Sequence, residues 1–139
     1  MIGILIVTHG HFSDSLLESA SMFVSDTTTL VRTIAFLPGQ GVEDLTASVR
    51  TALRDLSRSD GILALVDLPG GSPARAVGAL LSETERLELV SGVNLPMIVE
   101  VLMLRETMTL SELAEYALTS GTEGIVDVGK LLRSRGGGL

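Results

Sequence analysis

The chain has no cysteine and no tryptophan among its 139 residues. Without thiols there is no disulfide framework and no thiolate metal site, and a reducing cytosol requires neither. Aromatic residues make up only 3% while hydrophobic residues make up 45%, so the core must be built from Leu, Val, Ile, Ala and Met rather than rings. That composition suits an α/β protein. Positive charge is scarce too: 10 Lys and Arg against 17 Asp and Glu leave a net charge of −7, which argues against nucleic acid and suits a partner with a positive docking face. Long apolar runs are missing. The strongest, Val93 to Leu104, is interrupted by Asn94, Pro96 and Glu100, too short and too polar to span a bilayer. Met1 to Val7 enters Thr8, His9 and Gly10 directly, without the basic flank or cleavage site of a signal peptide. A soluble, cytoplasmic protein is expected, with one domain over residues 1–132 and a flexible tail over 133–139.

Strand and helix patterns alternate along the chain. Ile2 to Val7 is a continuous apolar run, as in a strand covered on both faces of a parallel sheet. Leu16, Leu17, Ala20, Phe23 and Val24 then recur at helical spacing, with Ser13 as the expected cap. Thr29 to Leu37 reads as an edge strand broken by Pro38-Gly39, and Leu45, Val49, Ala52, Leu53 and Leu56 mark a second helix. Gly61 to Asp67 repeats the buried-strand signature. A turn, Leu68-Pro69-Gly70-Gly71-Ser72-Pro73, follows and opens a third helix, with Ser72 as cap and Pro73 at the first helical position. Arg86 to Ser91 is a fourth strand, Leu95 to Arg105 a buried helix, and Leu110 to Leu118 an amphipathic one. Met97, Met103 and Met108 read as core filler. Glu123 to Val128 is a candidate fifth strand.

This order predicts an open, doubly wound, mostly parallel sheet in the order 2-1-3-4 with helices on both faces. Ligands of such sheets sit beyond the carboxyl ends of the strands, where the strand order reverses. Here the reversal lies between the first and third strands, which deliver His9 and Asp67.

A neutral imidazole is a competent nucleophile toward phosphorus, and the phosphoramidate it forms is labile enough to pass the group on. For one ring nitrogen to attack, the other should hold its proton against a fixed acceptor, a role that Asp67 can fill for His9. The amides of Gly70, Gly71 and Ser72, at a helix start, and the Ser72 hydroxyl are candidate donors to phosphoryl oxygens. Thr8, Gly10 and His11 flank the histidine as rim or docking residues, and Gly10 removes a side chain where a partner would approach.

Plainer readings stand beside these. A histidine after a strand is often structural or merely exposed, Asp67 can begin a turn, and Gly-Gly-Ser-Pro is ordinary helix-start chemistry. His9-x-His11 is also half of a metal site, but no third histidine or cysteine completes it, and Asp14 and Asp67 make a poor zinc set. No metal or cofactor is expected.

The blocks Thr8-His9-Gly10, Phe36-Leu37-Pro38-Gly39, Val66-Asp67 with Gly70-Gly71-Ser72-Pro73, and Gly92-Val93-Asn94-Leu95-Pro96-Met97 resemble the mannose-family enzyme IIA domain of the bacterial sugar phosphotransferase system. The resemblance runs from Ile4 to about Val128. It implies phosphorylation of His9 with Asp67 as its hydrogen-bonded partner, the phosphocarrier HPr as donor, and enzyme IIB as acceptor, with a membrane permease reached only indirectly. It also implies a homodimer in which a C-terminal strand, here Glu123 to Val128, joins the partner's sheet as an antiparallel edge. The absence of an Ala/Pro-rich linker after Leu132 matches a free-standing IIA rather than a IIA-IIB fusion. Leu68-Pro69 departs from relatives that carry an aromatic there. The alternative is the phosphotransfer subunit of a dihydroxyacetone kinase, whose local pattern is closer to Ser-His-Ser. A histidine phosphatase would place arginine, not Thr8, before the histidine. A regulatory module read by other proteins shares the same chemistry. The sugar served is not encoded here, because a IIA protein does not touch sugar.

Overall fold

A computed structural model describes residues 1–136. Its elements are β1 (Gly3–His9), α1 (Phe12–Ala20), β2 (Val31–Phe36), α2 (Val42–Asp55), β3 (Ile62–Val66), α3 (Ser72–Gly78), β4 (Leu87–Val90), α4 (Leu95–Leu104), α5 (Leu110–Glu123) and α6 (Val128–Ser134). The four strands form one all-parallel sheet in the order β2-β1-β3-β4.

β1 and β3 are inner strands, and every residue from Gly3 to Thr8 and from Ile62 to Val66 is buried. Their alternation assigns the two faces. Ile4, Ile6, Leu63 and Leu65 pack with Leu16 and Ala20 of α1, Ile98 and Val101 of α4, and Leu113 and Ala117 of α5. Leu5, Val7, Ala64 and Val66 pack with Leu45, Val49 and Leu53 of α2 and Ala76 and Val77 of α3. Each fully buried Leu, Ile or Val contributes about 1.5–3 kcal/mol, so two layers of aliphatic side chains hold the sheet without large rings. Continuing the alternation, His9 follows Leu5 and Val7 onto the α2–α3 face.

Helix α4 is apolar on most sides because it is wedged between the sheet and its neighbours. Asn94 fixes its start: the side-chain oxygen accepts from the Met97 amide at 3.0 Å, and the side-chain nitrogen donates to the Gly121 carbonyl of α5 at 2.9 Å.

Several local expectations are corrected. Ser13 is not the cap of α1. It lies buried inside the first turn, its amide donating to Thr8 Oγ1 at 2.7 Å and its hydroxyl to the Ile34 carbonyl at 3.2 Å. Ser72 is the first residue of α3 rather than its cap, and Gly71 occupies the cap position. Met103 is not core filler but 58% exposed, on the outward side of α4. Glu123 to Val128 forms no fifth strand: Glu123 ends α5, Val128 begins α6, and the link between them is exposed. Within one chain, Ile125 and Val126 pair with no strand of the sheet. Arg133 and Ser134, expected in the tail, complete α6, and residues 137–139 of that tail lie outside the described residues. Among the described residues no helix is long and apolar enough to cross a membrane.

Candidate functional site

Strand register brings the candidate residues together. Val7 of β1 pairs with Val66 of β3, so His9 and Asp67 emerge two and one residues later at the same carboxyl-end edge. On the other side His9 pairs with Phe36 of β2. The site therefore lies between β1 and β3, where the strand order reverses.

The carboxylate of Asp67 holds His9 twice. Its Oδ2 accepts from the His9 amide at 2.9 Å and lies 2.8 Å from ring Nδ1, while Oδ1 accepts from the Leu68 amide at 2.9 Å. Asp67 has only acceptors when ionised, so Nδ1 carries the proton and donates it. That tautomer leaves Nε2 with its lone pair. The His9 side chain is 44% exposed and that of Asp67 14%. Burial pushes the Asp67 carboxyl up, but the hydrogen bonds from the His9 amide, the His9 ring and the Leu68 amide together outweigh it and hold the group below its ordinary value.

Two further groups touch the ring. Phe36 meets it edge-on, with ring centroids 5.9 Å apart and planes inclined at 78°. Gly71 lies against the ring on the α3 side: an ideal Cβ built there would stand 2.7 Å from His9 Cε1 and 3.4 Å from Nε2. This puts the Gly70-Gly71-Ser72 turn beside the unprotonated nitrogen. Gly71 accepts from the Arg75 amide at 3.1 Å, and its own amide is turned toward the Leu68 carbonyl at 3.4 Å. Among the described residues the Gly70 and Ser72 amides have no protein acceptor.

Thr8 does not lie on the rim. It is fully buried and ties the strand to the first turn of α1 through its bond to Ser13. Gly10 has φ +59°, the left-handed turn that redirects the chain after His9, and its amide donates to the Phe36 carbonyl at 2.8 Å. His11 stands apart from His9's carboxylate: its ring is 70% exposed with Nδ1 3.6 Å from Asp14 Oδ2. Each histidine faces a different acid, and among the described residues no group of three or more His, Cys, Asp or Glu gathers around a metal position. Phe36 as a wall of the site is absent from the sequence reading. Only the register that pairs it with His9 would have disclosed it.

Fold and site together define a doubly wound α/β domain that presents one oriented imidazole at the switch point of its sheet. Residues 3–118 match the family model described as the PTS system fructose IIA component, EIIA-man. The chain belongs to this family, the mannose-type EIIA components of the phosphotransferase system. It is 36% identical over 113 residues to the PTS system fructose-specific EIIA component of Bacillus subtilis, covering 81% of this chain and 77% of that protein. It is 38% identical over 125 residues to the PTS system mannose-specific EIIAB component of Escherichia coli, covering 89% of this chain but 38% of that longer protein. The crystal structure of EIIA from Streptococcus agalactiae superposes with a TM-score of 0.83 at 32% identity, covering 94% of this chain and 99% of that one.

Proposed function

We propose that the chain is a phosphocarrier that accepts a phosphoryl group on Nε2 of His9 from phospho-HPr and delivers it to an enzyme IIB. The observation that carries this reading is the division of labour between the ring nitrogens, with Nδ1 held by Asp67 at 2.8 Å and Nε2 left free beside a turn with unused amides. In the inward step the bond from phosphorus to the donor's leaving group breaks as the Nε2–phosphorus bond forms. The electron pair returns to the donor. No proton leaves His9, because Nδ1 keeps its own, and the positive charge that develops on the ring faces the Asp67 carboxylate. The Gly70 and Ser72 amides and the Ser72 hydroxyl then serve as donors to the phosphoryl oxygens, and the outward step reverses the same events. The protein supplies orientation and charge compensation, and docking supplies proximity.

Incubation with phospho-HPr is expected to give an acid-labile, base-stable mark on the wild type and on His11→Ala, and none on His9→Ala. Label retained by His9→Ala would overturn the assignment. A homodimer belongs to the same reading, with the link after α5 pairing to a second copy's sheet. Its support is the exposure of Ile125 and Val126, at 79% and 52%. Sedimentation equilibrium is expected to give twice the chain mass, falling to the monomer when both residues become Asp. A wild-type monomer would remove this part.

A further inference from the structure

We infer that Gly71 is a positioning residue: its missing side chain is the seat of the His9 ring. The requirement is one of space and not of backbone conformation. Gly71 has φ −79° and ψ 172°, extended values that any residue adopts, so nothing in its dihedrals calls for glycine. Space does call for it, because a methyl carbon there would lie 2.7 Å from His9 Cε1, where carbon atoms sit about 3.5–4.0 Å apart. One partner must retreat by about 1 Å. The backbone is the stiffer of the two. Gly71 accepts the first hydrogen bond of α3, and the next residues but one, Pro73 and Ala74, are buried. The ring is the far end of a side chain that is 44% exposed, so the ring moves. It then leaves a hydrogen bond of 2.8 Å that tolerates little displacement.

The adjacent glycine supplies the contrast. A Cβ on Gly70 meets nothing within 4 Å, and its φ lies outside the left-handed region. Two neighbouring glycines in one turn thus have different relations to the imidazole. This role differs from donation of an amide to phosphate, and the Gly71 amide is turned toward Leu68. The kinetic consequence rests on the proposed transfer through His9, whereas the seat itself does not.

The test uses the whole chain labelled with ¹⁵N-histidine, read by long-range ¹H–¹⁵N correlation. Wild type and Gly70→Ala are expected to show the His9 proton confined to Nδ1, and Gly71→Ala a mixture of tautomers like that of exposed His11. With phospho-HPr as donor, kcat for Gly71→Ala is expected to fall about a hundredfold, the scale of a 1 Å misplacement, with KM within about twofold. A double-mutant cycle covers the case in which Gly71→Ala folds poorly. The stability lost in the His9-containing protein should return when the same substitution is made in His9→Ala, because the ring is then absent. An unchanged tautomer in Gly71→Ala, a tautomer mixture of the same kind in Gly70→Ala, or a stability cost that is the same with and without the ring would each overturn the seat. A normal wild-type tautomer together with no label from phospho-HPr would instead leave the seat standing and remove the phosphocarrier reading.

Discussion

Asp67 receives three hydrogen bonds across its two oxygens, two of them from one residue, so it fixes both the backbone and the ring of His9. An amide in its place keeps an acceptor but carries no charge to meet a developing imidazolium. Asp67→Asn is therefore expected to slow phosphoryl acceptance by about a hundredfold, measured by rapid-quench labelling, while the chain stays folded. Unchanged kinetics would reduce Asp67 to a structural contact. The carboxyl also predicts a pH dependence. Its folded-state pKa lies below the ordinary value, because the three donors outweigh burial. The stability it contributes is thus complete above the unfolded value of about 3.9 and is lost as pH falls through the lower, folded one. A carboxyl ¹³C titration should place its midpoint below about 3.9, and a midpoint above that would contradict the bonding seen here.

The turn between β1 and α1 shows how an element can aim a side chain. Thr8 is the last fully buried residue of β1, and its hydroxyl oxygen satisfies the Ser13 amide, one of the donors that the first turn of a helix leaves unpaired. Between them the chain turns at Gly10 and exposes His9. Thr8→Val keeps the shape and removes the acceptor, leaving a buried amide unsatisfied. The expected cost is about 1–3 kcal/mol in urea denaturation, together with slower labelling of His9 as the turn loosens. Full stability would mean that another acceptor takes over.

The whole molecule separates its chemical end from its structural end. Arg105 is 2% exposed, just beyond α4. Its guanidinium donates to the Thr29 carbonyl at 2.6 Å, and Arg105 Nη2 lies 3.5 Å from Asp26 Oδ2. Its own carbonyl accepts from the Ile2 amide at 3.0 Å, at the opposite end of β1 from His9. Arg105→Ala leaves a cavity and frees the loop before β2, at an expected cost of about 2–4 kcal/mol in urea denaturation. The rate of His9 labelling in the folded fraction should be unchanged. A large loss of rate would show that the two ends are coupled.

The runs Ile2–Val7 and Ile62–Val66 hold no polar side chain because both their faces are covered, which makes two inner strands legible in the sequence. The alternation of strands and helices then points to a doubly wound parallel sheet, and the order seen is one of the two common for that class. His9 and Asp67 were legible for the same reason, since each stands where such a run stops. The segment from Glu123 to Val128 forms no strand within one chain, because β-branched residues signal a strand only when a partner strand lies beside them, and the single chain brings none to this link. Ser13 and Ser72 were misplaced by a residue or so because helix starts depend on which acceptor the fold brings near, here Thr8 for Ser13. The sequence by itself determined the sheet, its two covered faces and the pair of residues at its edge, since these follow from local patterns of burial. Only the tertiary structure decided which ring nitrogen is held, which wall Phe36 makes and which of two glycines lies under the imidazole. Those depend on register and on distances of a few ångströms between segments far apart in the chain.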